Sequence, residues 1–236
     1  MRATLILTAV ELEAHALARA LELAPLPALP FAAFGTGATR VAAVGLRASR
    51  LLSRWPSLVA GLGDPLIVSA GVCGGLDPTL ARGALTVPES VIDPDGVLAR
   101  VTPSAHHVAL AAAPSAATGP LVTTREVAAT PDAKAALRER TGAIAVDMES
   151  SLILAAAADG GFPSLVVRGV SDTATEGLPR ELIGLVTADG RLRVAGAAAL
   201  AIRPAVLPRA LALRRATASA LRSVARLLSA LVVAPR

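Results

Sequence analysis

The chain has 236 residues, of which 53% are apolar and 17% are charged, and its formal net charge is +5 at pH 7. This length and apolar content predict a packed globular protein with one sizeable core. The single cysteine, Cys73, excludes an intrachain disulfide framework and fits a reducing cytosol. Aromatic residues make up only 2% and there is no tyrosine, which argues against single-stranded nucleic-acid binding by base stacking.

Neither a secretion signal nor a membrane span is expected. The first two residues lead directly into a strand-like run, without a long apolar region and cleavage site. Residues 101–124 lack Asp, Glu, Lys and Arg, but prolines, a glycine, two histidines and several hydroxyls interrupt the stretch. A cytoplasmic protein is therefore expected.

The hydrophobic pattern predicts alternating strands and helices along the chain. In chain order we expect a strand over 3–10, a helix over 11–23, a strand over 31–34, a helix over 38–54, strands over 65–70 and 84–87, a hairpin over 91–101, a short helix over 108–113, a strand over 121–124 and a helix over 131–140 capped by Thr130. Residues 188–190 are predicted to form a turn, helices are expected after Pro179, and residues 205–233 form a helical tail with five arginines and no acidic residue.

Two apolar runs between residues 143 and 172 each end in acidic and hydroxyl residues. The pattern predicts strands over 143–146 and 164–170 with a helix over 150–158 between them. Such a unit favours a right-handed crossover and a parallel sheet. Since ligands bind at the carboxyl ends of strands in open α/β sheets, we expect Glu149 and Asp172 to meet at a site.

The glycine-rich stretches carry less information. Residues 35–37 begin like a dinucleotide fingerprint, but Arg40 stands where the third glycine belongs. Residues 71–75 follow a buried strand, and they either let the backbone approach a ligand or form a tight strand exit. Cys73 is expected to line this loop as a small buried residue, and the histidines at 106 and 107 to lie in a solvated loop.

The carboxylates each have a structural explanation as well as a functional one. Glu11, Glu13 and Glu149 could simply complement the dipole at a helix start, and Asp172 could cap a turn. Two carboxyl groups close together in a pocket would have divergent pKa values, one suited to proton donation and one to remaining ionised.

Four short blocks resemble one enzyme family. Residues 146–150 and 167–172, Val-Asp-Met-Glu-Ser and Val-Arg-Gly-Val-Ser-Asp, are similar to the paired signature of the purine nucleoside phosphorylase and nucleosidase superfamily. Residues 9–13 and 74–80 resemble the first blocks of the methylthioadenosine/S-adenosylhomocysteine nucleosidases. The resemblance implies a three-layer α/β/α nucleoside phosphorylase-like fold, with a central mixed twisted sheet flanked by helices. It implies a single domain over 1–236, with an arginine-rich helical C-terminal extension from about 204.

The same resemblance implies roles for individual residues. Asp172 would be the general acid that protonates purine N7, and Glu13 would activate the attacking water. Glu149 would accept hydrogen bonds from the ribose hydroxyls, while Met148 packs against the sugar. The remaining substrate-binding residues would be Val72, Cys73 and Gly74 on the sugar side, Val127 at the adenine edge and Ser171.

Within the superfamily the chain is most similar to the hopanoid-associated phosphorylases. It shares their short region before Gly35, the blocks at 74–78 and 146–151, and an arginine-rich tail. This implies release of adenine from adenosylhopane, giving ribosylhopane. The alternatives are a methylthioadenosine/S-adenosylhomocysteine or futalosine nucleosidase, a non-catalytic nucleoside- or lipid-head-binding protein, and, disfavoured by composition, a basic nucleic-acid binder.

The departures from the family pattern concern the base and the nucleophile. Residues 125–127 replace the segment that supplies a stacking phenylalanine, which leaves only Phe31, Phe34 and Phe162. A phosphate-binding arginine block is not evident, and Arg40 is the nearest candidate. Glu13 therefore favours hydrolysis, with inorganic phosphate still open as a co-substrate and neither cofactor nor metal expected.

The resemblance also implies a homodimer or higher homo-oligomer. The basic tail could lie on the anionic inner membrane surface, giving a peripheral location. Packing of the tail on the core with its arginines exposed is favoured, because no aromatic residue anchors it.

Overall fold

The computed structural model of the protein describes residues 2–178, 187–191 and 207–233. It is a mixed eleven-stranded sheet with helices packed on both faces. The strands are β1 Thr4–Thr8, β2 Ala24–Pro25, β3 Ala33–Thr36, β4 Thr39–Ala43, β5 Leu66–Gly75, β6 Leu85–Thr86, β7 Ser90–Ile92, β8 Leu98–Arg100, β9 Pro120–Thr123, β10 Ala145–Asp147 and β11 Ser164–Asp172. The helices are α1 Glu11–Ala20, α2 Leu51–Val59, α3 Pro103–Ala112, α4 Pro131–Thr141, α5 Ser150–Asp159 and α6 Leu207–Val233.

The long strand β5 organises the sheet. Its first half pairs in parallel with β1, which in turn pairs with β4. Its last two residues, Gly74 and Gly75, pair with β10 in antiparallel orientation, and β11 runs parallel along its other side. The expected parallel arrangement of 143–146 and 164–170 is therefore wrong, since β10 and β11 run in opposite directions. The reason is that β5 extends beyond the end of β1, and β10 pairs with this extension.

Alternate residues of the central strands face two separate apolar clusters. Ile6 and Val68 face α1, α3 and α6, whereas Leu5, Leu7 and Ile67 face α2 and α5. This alternation is what a strand buried on both faces requires, and it explains the continuous apolar runs in the sequence. The sheet is consequently the middle layer of the molecule.

Helix α6 closes one face of the sheet. Ala220, Val224 and Leu228 are buried, and Ala220 lies so close to β11 that a Cβ on Gly169 would come within 2.5 Å of the Ala220 carbonyl oxygen. Four arginines of the helix are exposed: Arg214, Arg215, Arg222 and Arg226. The expectation that the tail packs on the core with its arginines outward is confirmed for the helix and for these four arginines. Within the described ranges no helix is long and apolar enough to cross a bilayer.

Several predicted elements need correction. The helix over 38–54 is wrong, because 39–43 form β4 between β3 and β1 and only 51–59 are α-helical. The alanine and valine residues there fit both a helical and a strand pattern of hydrophobicity. Pairing with the neighbouring strands determines that they form a strand. Gly37, with φ +54°, lies in the β3–β4 hairpin turn, so the dinucleotide motif is not formed.

Other predictions of local structure are confirmed. Thr130 caps α4 by accepting a hydrogen bond from the Ala133 N–H at 3.2 Å. The hairpin over 91–101 forms from β7 and β8, and the turn at 188–190 is closed by a bond from the Gly190 N–H to the Thr187 carbonyl. His106 and His107 lie in α3 rather than in a loop. The helices expected directly after Pro179 lie outside the described residues.

Candidate active site

A cavity of about 210 Å³ opens where β5, β10 and β11 end next to the start of α1. Its walls include carboxyl groups from three separate parts of the chain. All nine predicted site residues line it: Glu13, Val72, Cys73, Gly74, Val127, Met148, Glu149, Ser171 and Asp172. The structure thus brings these residues together, although through a mixed rather than a parallel sheet.

Glu13 is buried beneath the cavity and is held by backbone donors. Its Oε2 accepts hydrogen bonds from the N–H groups of Ala9 at 3.1 Å and Val10 at 3.3 Å. Its Oε1 accepts from the Val72 N–H at 2.9 Å. Burial raises the pKa of Glu13, against the opposing effects of the Arg168 charge and the three backbone donors. The side chain is consequently fixed in position and more basic than an ordinary glutamate.

Gly71 makes this position of Glu13 sterically feasible. Its φ is +151°, and a Cβ there would lie 2.6 Å from Glu13 Oε1 and 2.7 Å from Arg168 Nη1. Residues 71–75 continue β5 rather than forming a turn, so the predicted strand exit is wrong. The close approach that glycine permits is to buried charged side chains of the site.

Glu149 precedes α5 and is 4% exposed. Its Oε1 accepts a hydrogen bond from the Arg47 N–H at 2.9 Å. Burial, followed by the negative charge of Asp147, raises the pKa of Glu149 to about 8, and the Arg168 guanidinium acts in the opposite direction. Near neutral pH this carboxyl group therefore gains or loses its proton easily.

Asp172 ends β11 and has a defined partner on each oxygen. Its Oδ1 accepts a hydrogen bond from Ser171 Oγ at 2.6 Å. Its Oδ2 forms an ion pair with the buried Nζ of Lys134, on helix α4, at 2.5 Å. Glu13, Glu149 and Asp172 thus have three different electrostatic surroundings within one cavity.

Arg168 and Asp147 form a buried ion pair beside the carboxylates. Arg168 Nη2 lies 2.7 Å from Asp147 Oδ2, and it also donates to the hydroxyls of Ser69 and Ser150. Burial lowers the pKa of Arg168, but the negative charges of Asp147, Glu149 and Glu13 together outweigh it and raise that pKa. One fixed positive charge therefore offsets part of the negative charge concentrated around the cavity.

The sequence prediction did not include Arg168, Asp147 or Lys134 among the site residues. An arginine inside the apolar run of 165–170 was the available signal, because a charge in a buried strand needs a partner. For Lys134 the signal was its uniqueness, since it is the only lysine in the chain.

The side chains considered for base stacking do not line the cavity. Phe34 is buried against His15, Phe31 lies under the Arg54 guanidinium, and Phe162 lines a separate groove of about 640 Å³. That groove adjoins the cavity, since Met148 lines both. A stacking partner is therefore not found among the described residues.

Two further expectations concern phosphate and the thiol. The Arg40 guanidinium donates to the carbonyls of Ser57, Leu58 and Ala60 at the end of α2, so Arg40 is wrong as a candidate for phosphate binding. Burial raises the pKa of Cys73 to about 12, which keeps the thiol neutral and unreactive. In the described part of the chain, no group of three or more His, Cys, Asp or Glu side chains could hold a metal ion.

Comparisons with known proteins identify the family of the chain. The sequence model described as "Phosphorylase superfamily" matches residues 5–203. The futalosine hydrolase of Streptomyces coelicolor is 30% identical over 233 residues, covering 80% of this chain and 94% of the relative.

Solved structures show the same fold. The methylthioadenosine/S-adenosylhomocysteine nucleosidase of Neisseria meningitidis superposes with a TM-score of 0.72 at 17% identity, covering 98% of this chain and 99% of the other. The futalosine hydrolase of Helicobacter pylori gives a TM-score of 0.71 at 18% identity, with 98% of each chain covered.

Proposed function

Because the chain belongs to the phosphorylase superfamily, we propose that it hydrolyses the N-glycosidic bond of an adenine nucleoside. One observation carries the proposal: Glu13, Glu149 and Asp172 are buried, line a single cavity, and differ in their hydrogen-bond and ion-pair partners. Cleavage of this bond needs a proton donor for the base, stabilisation of a sugar cation and a base for water. Three carboxyl groups in different surroundings suit these three tasks.

Asp172 acts as the general acid on the base side once it has taken up a proton, since both of its oxygens accept hydrogen bonds in the structure. It transfers its proton to purine N7 as the electron pair of the C1′–N9 bond passes to the adenine ring, so that the base leaves as a neutral molecule. The Ser171 hydroxyl, 2.6 Å from Oδ1, orients the carboxyl group. Positioned acid catalysis of this kind contributes on the order of 10²–10⁴-fold to the rate.

Glu149 and Glu13 act on the sugar side. Glu149 accepts hydrogen bonds from the ribose hydroxyls and, in its ionised form, stabilises the oxocarbenium-like sugar, against which Met148 packs. Because its pKa is raised to about 8, Glu149 must lose its proton before it can stabilise this cation. Glu13 takes a proton from the water that attacks C1′, and its raised pKa makes it a better base. The hydroxyl and the proton of the water thereby end on the ribose and on Glu13.

The other predicted residues complete the walls of the pocket. Val72, Cys73 and Gly74 come from β5 on the sugar side, and Val127 lies where the backbone meets the adenine edge. The reaction as proposed uses neither a cofactor nor a metal.

Adenosylhopane is the substrate that we propose, with ribosylhopane and adenine as products in hopanoid biosynthesis. The motif blocks at 74–78 and 146–151 support this choice. The groove that adjoins the cavity at Met148 provides space for a bulky apolar 5′ substituent, since Leu152, Leu154 and Phe162 line it. Futalosine is the second candidate, favoured by the 30% identity to a futalosine hydrolase across almost its whole length.

A substrate panel tests the proposal. The chain is incubated with adenosylhopane in detergent, methylthioadenosine, S-adenosylhomocysteine and futalosine, with and without phosphate, and the free base and the sugar product are identified. Adenine together with unphosphorylated ribosylhopane is the expected result. Formation of a sugar 1-phosphate product would contradict hydrolysis. Nucleoside binding detected by calorimetry, without release of base from any substrate, would contradict catalysis.

The acid assignment has its own variant. Asp172→Asn is expected to lower base release about 10²–10⁴-fold, because the amide cannot supply the proton. Circular dichroism and nucleoside binding should remain near those of the wild type. Unchanged turnover in a folded Asp172→Asn protein would refute the mechanism.

We further propose a single-domain cytoplasmic enzyme that forms a homodimer or larger homo-oligomer and contacts anionic lipids through α6. The four exposed arginines of α6 fall within a sector of about 120°, spread along about 18 Å of the helix. No acidic residue occurs between 207 and 233. A cationic face of this kind suits the surface of a membrane that carries a lipid substrate.

A further inference from the structure

Lys134 stands apart from every other basic residue of the chain. Of the 23 lysine and arginine residues, it alone is a lysine, and its side chain is 1% exposed. A buried ammonium group is costly unless partners replace the water that it loses. A chain that uses arginine everywhere else therefore has a specific requirement at this position.

The partners of Lys134 use all three of its N–H donors. Nζ donates to Asp172 Oδ2 at 2.5 Å, to the Thr173 carbonyl at 2.6 Å and to the Glu176 carbonyl at 2.9 Å. Three diverging acceptors around a point charge suit an ammonium group, whereas a planar guanidinium presents its donors in one plane. Lys134 thus connects helix α4 to the end of β11 and the segment that follows it.

We propose that Lys134 is a positioning residue that holds the Asp172 carboxyl group in place and stabilises the carboxylate left after proton transfer. The proposal rests on the proposed function, in which Asp172 gives its proton to purine N7. When that proton leaves, a carboxylate remains at ion-pair distance from a fixed ammonium group. A cation held in place before the reaction stabilises the charge that proton transfer creates, without rearrangement of solvent.

The other charged or titratable groups near Asp172 do not replace this contact. They are Glu13, Glu149 and Cys73 lining the same cavity, the Asp147–Arg168 pair beside them, and Glu176, whose carboxylate is 2.6 Å from Arg82. Among the described residues, Lys134 is the cation in direct contact with Asp172. Removing its charge should therefore leave the carboxylate of Asp172 without a cation in direct contact.

The first test compares kcat and KM of the wild type, Lys134→Met and Lys134→Gln. Both neutral variants lack the cation that stabilises the carboxylate formed by proton transfer. At the pH optimum of the wild type, kcat should fall roughly ten- to a hundredfold, within the range that acid catalysis supplies, with KM nearly unchanged. Arg140→Met, which removes an exposed charge from the same helix, is the matched control and should change neither quantity.

The second test is a double-variant cycle with Asp172→Asn, measured as the residual single-turnover rate. A residue that acts through Asp172 should have no further effect once the acid is removed. An unchanged kcat in folded single variants, a loss that lies in KM, or a loss that multiplies with that of Asp172→Asn would overturn the proposal. So would two unfolded single variants that the double variant rescues, because Lys134 would then only balance a buried charge.

The two proposals fail in different ways. If the chain does not hydrolyse adenine nucleosides, the wild type releases no base from any member of the panel. If only the role of Lys134 is wrong, the wild type releases base and the variants keep its kcat.

Discussion

Replacing Glu149 with glutamine should make the protein more stable at alkaline pH. In the folded chain the pKa of this buried carboxyl is raised to about 8 from its ordinary value of 4.5. A carboxyl with a raised pKa binds its proton more tightly when folded, so its contribution to stability is full below pH 4.5 and is lost as the pH rises to about 8. The gap between the two values corresponds to at most roughly 5 kcal/mol of unfolding free energy. Glu149→Gln stays neutral, and its amide oxygen can still accept the hydrogen bond from the Arg47 N–H.

Urea unfolding at intervals between pH 5 and pH 9 measures this difference. The unfolding free energies of the wild type and Glu149→Gln should be similar at pH 5 and diverge in favour of the variant up to pH 8, with the same m-value. Glu139→Gln, at an exposed position of α4, is the control and should follow the wild type at every pH. Parallel curves for Glu149→Gln and the wild type would refute the view that burial of this carboxyl opposes its ionisation.

Three further outcomes are expected. Glu13→Gln should lower kcat by about 10²–10⁴-fold while nucleoside affinity measured by calorimetry stays within a fewfold, since only the base for water is lost; an equal loss in affinity would contradict this role. Gly71→Ala should destabilise the fold by about 2–4 kcal/mol in urea unfolding, because its Cβ would collide with Glu13. The control Gly37→Ala meets nothing within 4 Å and should cost only about 1 kcal/mol. Equal losses of unfolding free energy in the two variants would show that the collision is relieved. Replacing Arg222 and Arg226 with glutamine should weaken binding to vesicles containing anionic lipid by on the order of tenfold or more, at about 1 kcal/mol per arginine, and unchanged sedimentation with the vesicles would argue against the membrane contact.

The carboxylates of the site were predictable because each lies next to a recognisable strand end. Glu13 follows β1, and Asp172 ends β11, and both positions can be inferred from short apolar runs. Glu149 follows β10 in the same way. Strand ends therefore identified the residues, although the direction of β10 relative to β11 did not follow from them.

The charged residues that support the carboxylates were not predictable in the same way. Lys134 and Asp172 are 38 positions apart, and the hydrogen bond from Arg168 to Ser69 spans 99 positions. A buried charge indicates that a partner must exist, but only the packed sheet determines which partner it is. Contacts of long sequence separation are set by tertiary structure rather than by local pattern.

The error at residues 39–43 has a different cause. Val41 and Ala42 lie in a run of small apolar residues between Arg40 and Arg47, which fits a helix face as well as a strand. The hydrogen bonds that β4 forms with β1 and β3 determine the strand conformation, and the local sequence does not indicate them.

The position of α6 bears on how the protein is made. Residues 207–233 cover the face of β11 at Gly169, and they also pack against α1 near the beginning of the chain. During synthesis at about 5–20 residues per second, the strand that carries Asp172 leaves the ribosome several seconds before the helix that covers it. Over that interval an apolar face of the sheet is open to chaperones and to other nascent chains. The face of β11 at Gly169 is therefore covered only when a late segment of the chain has docked on an early one.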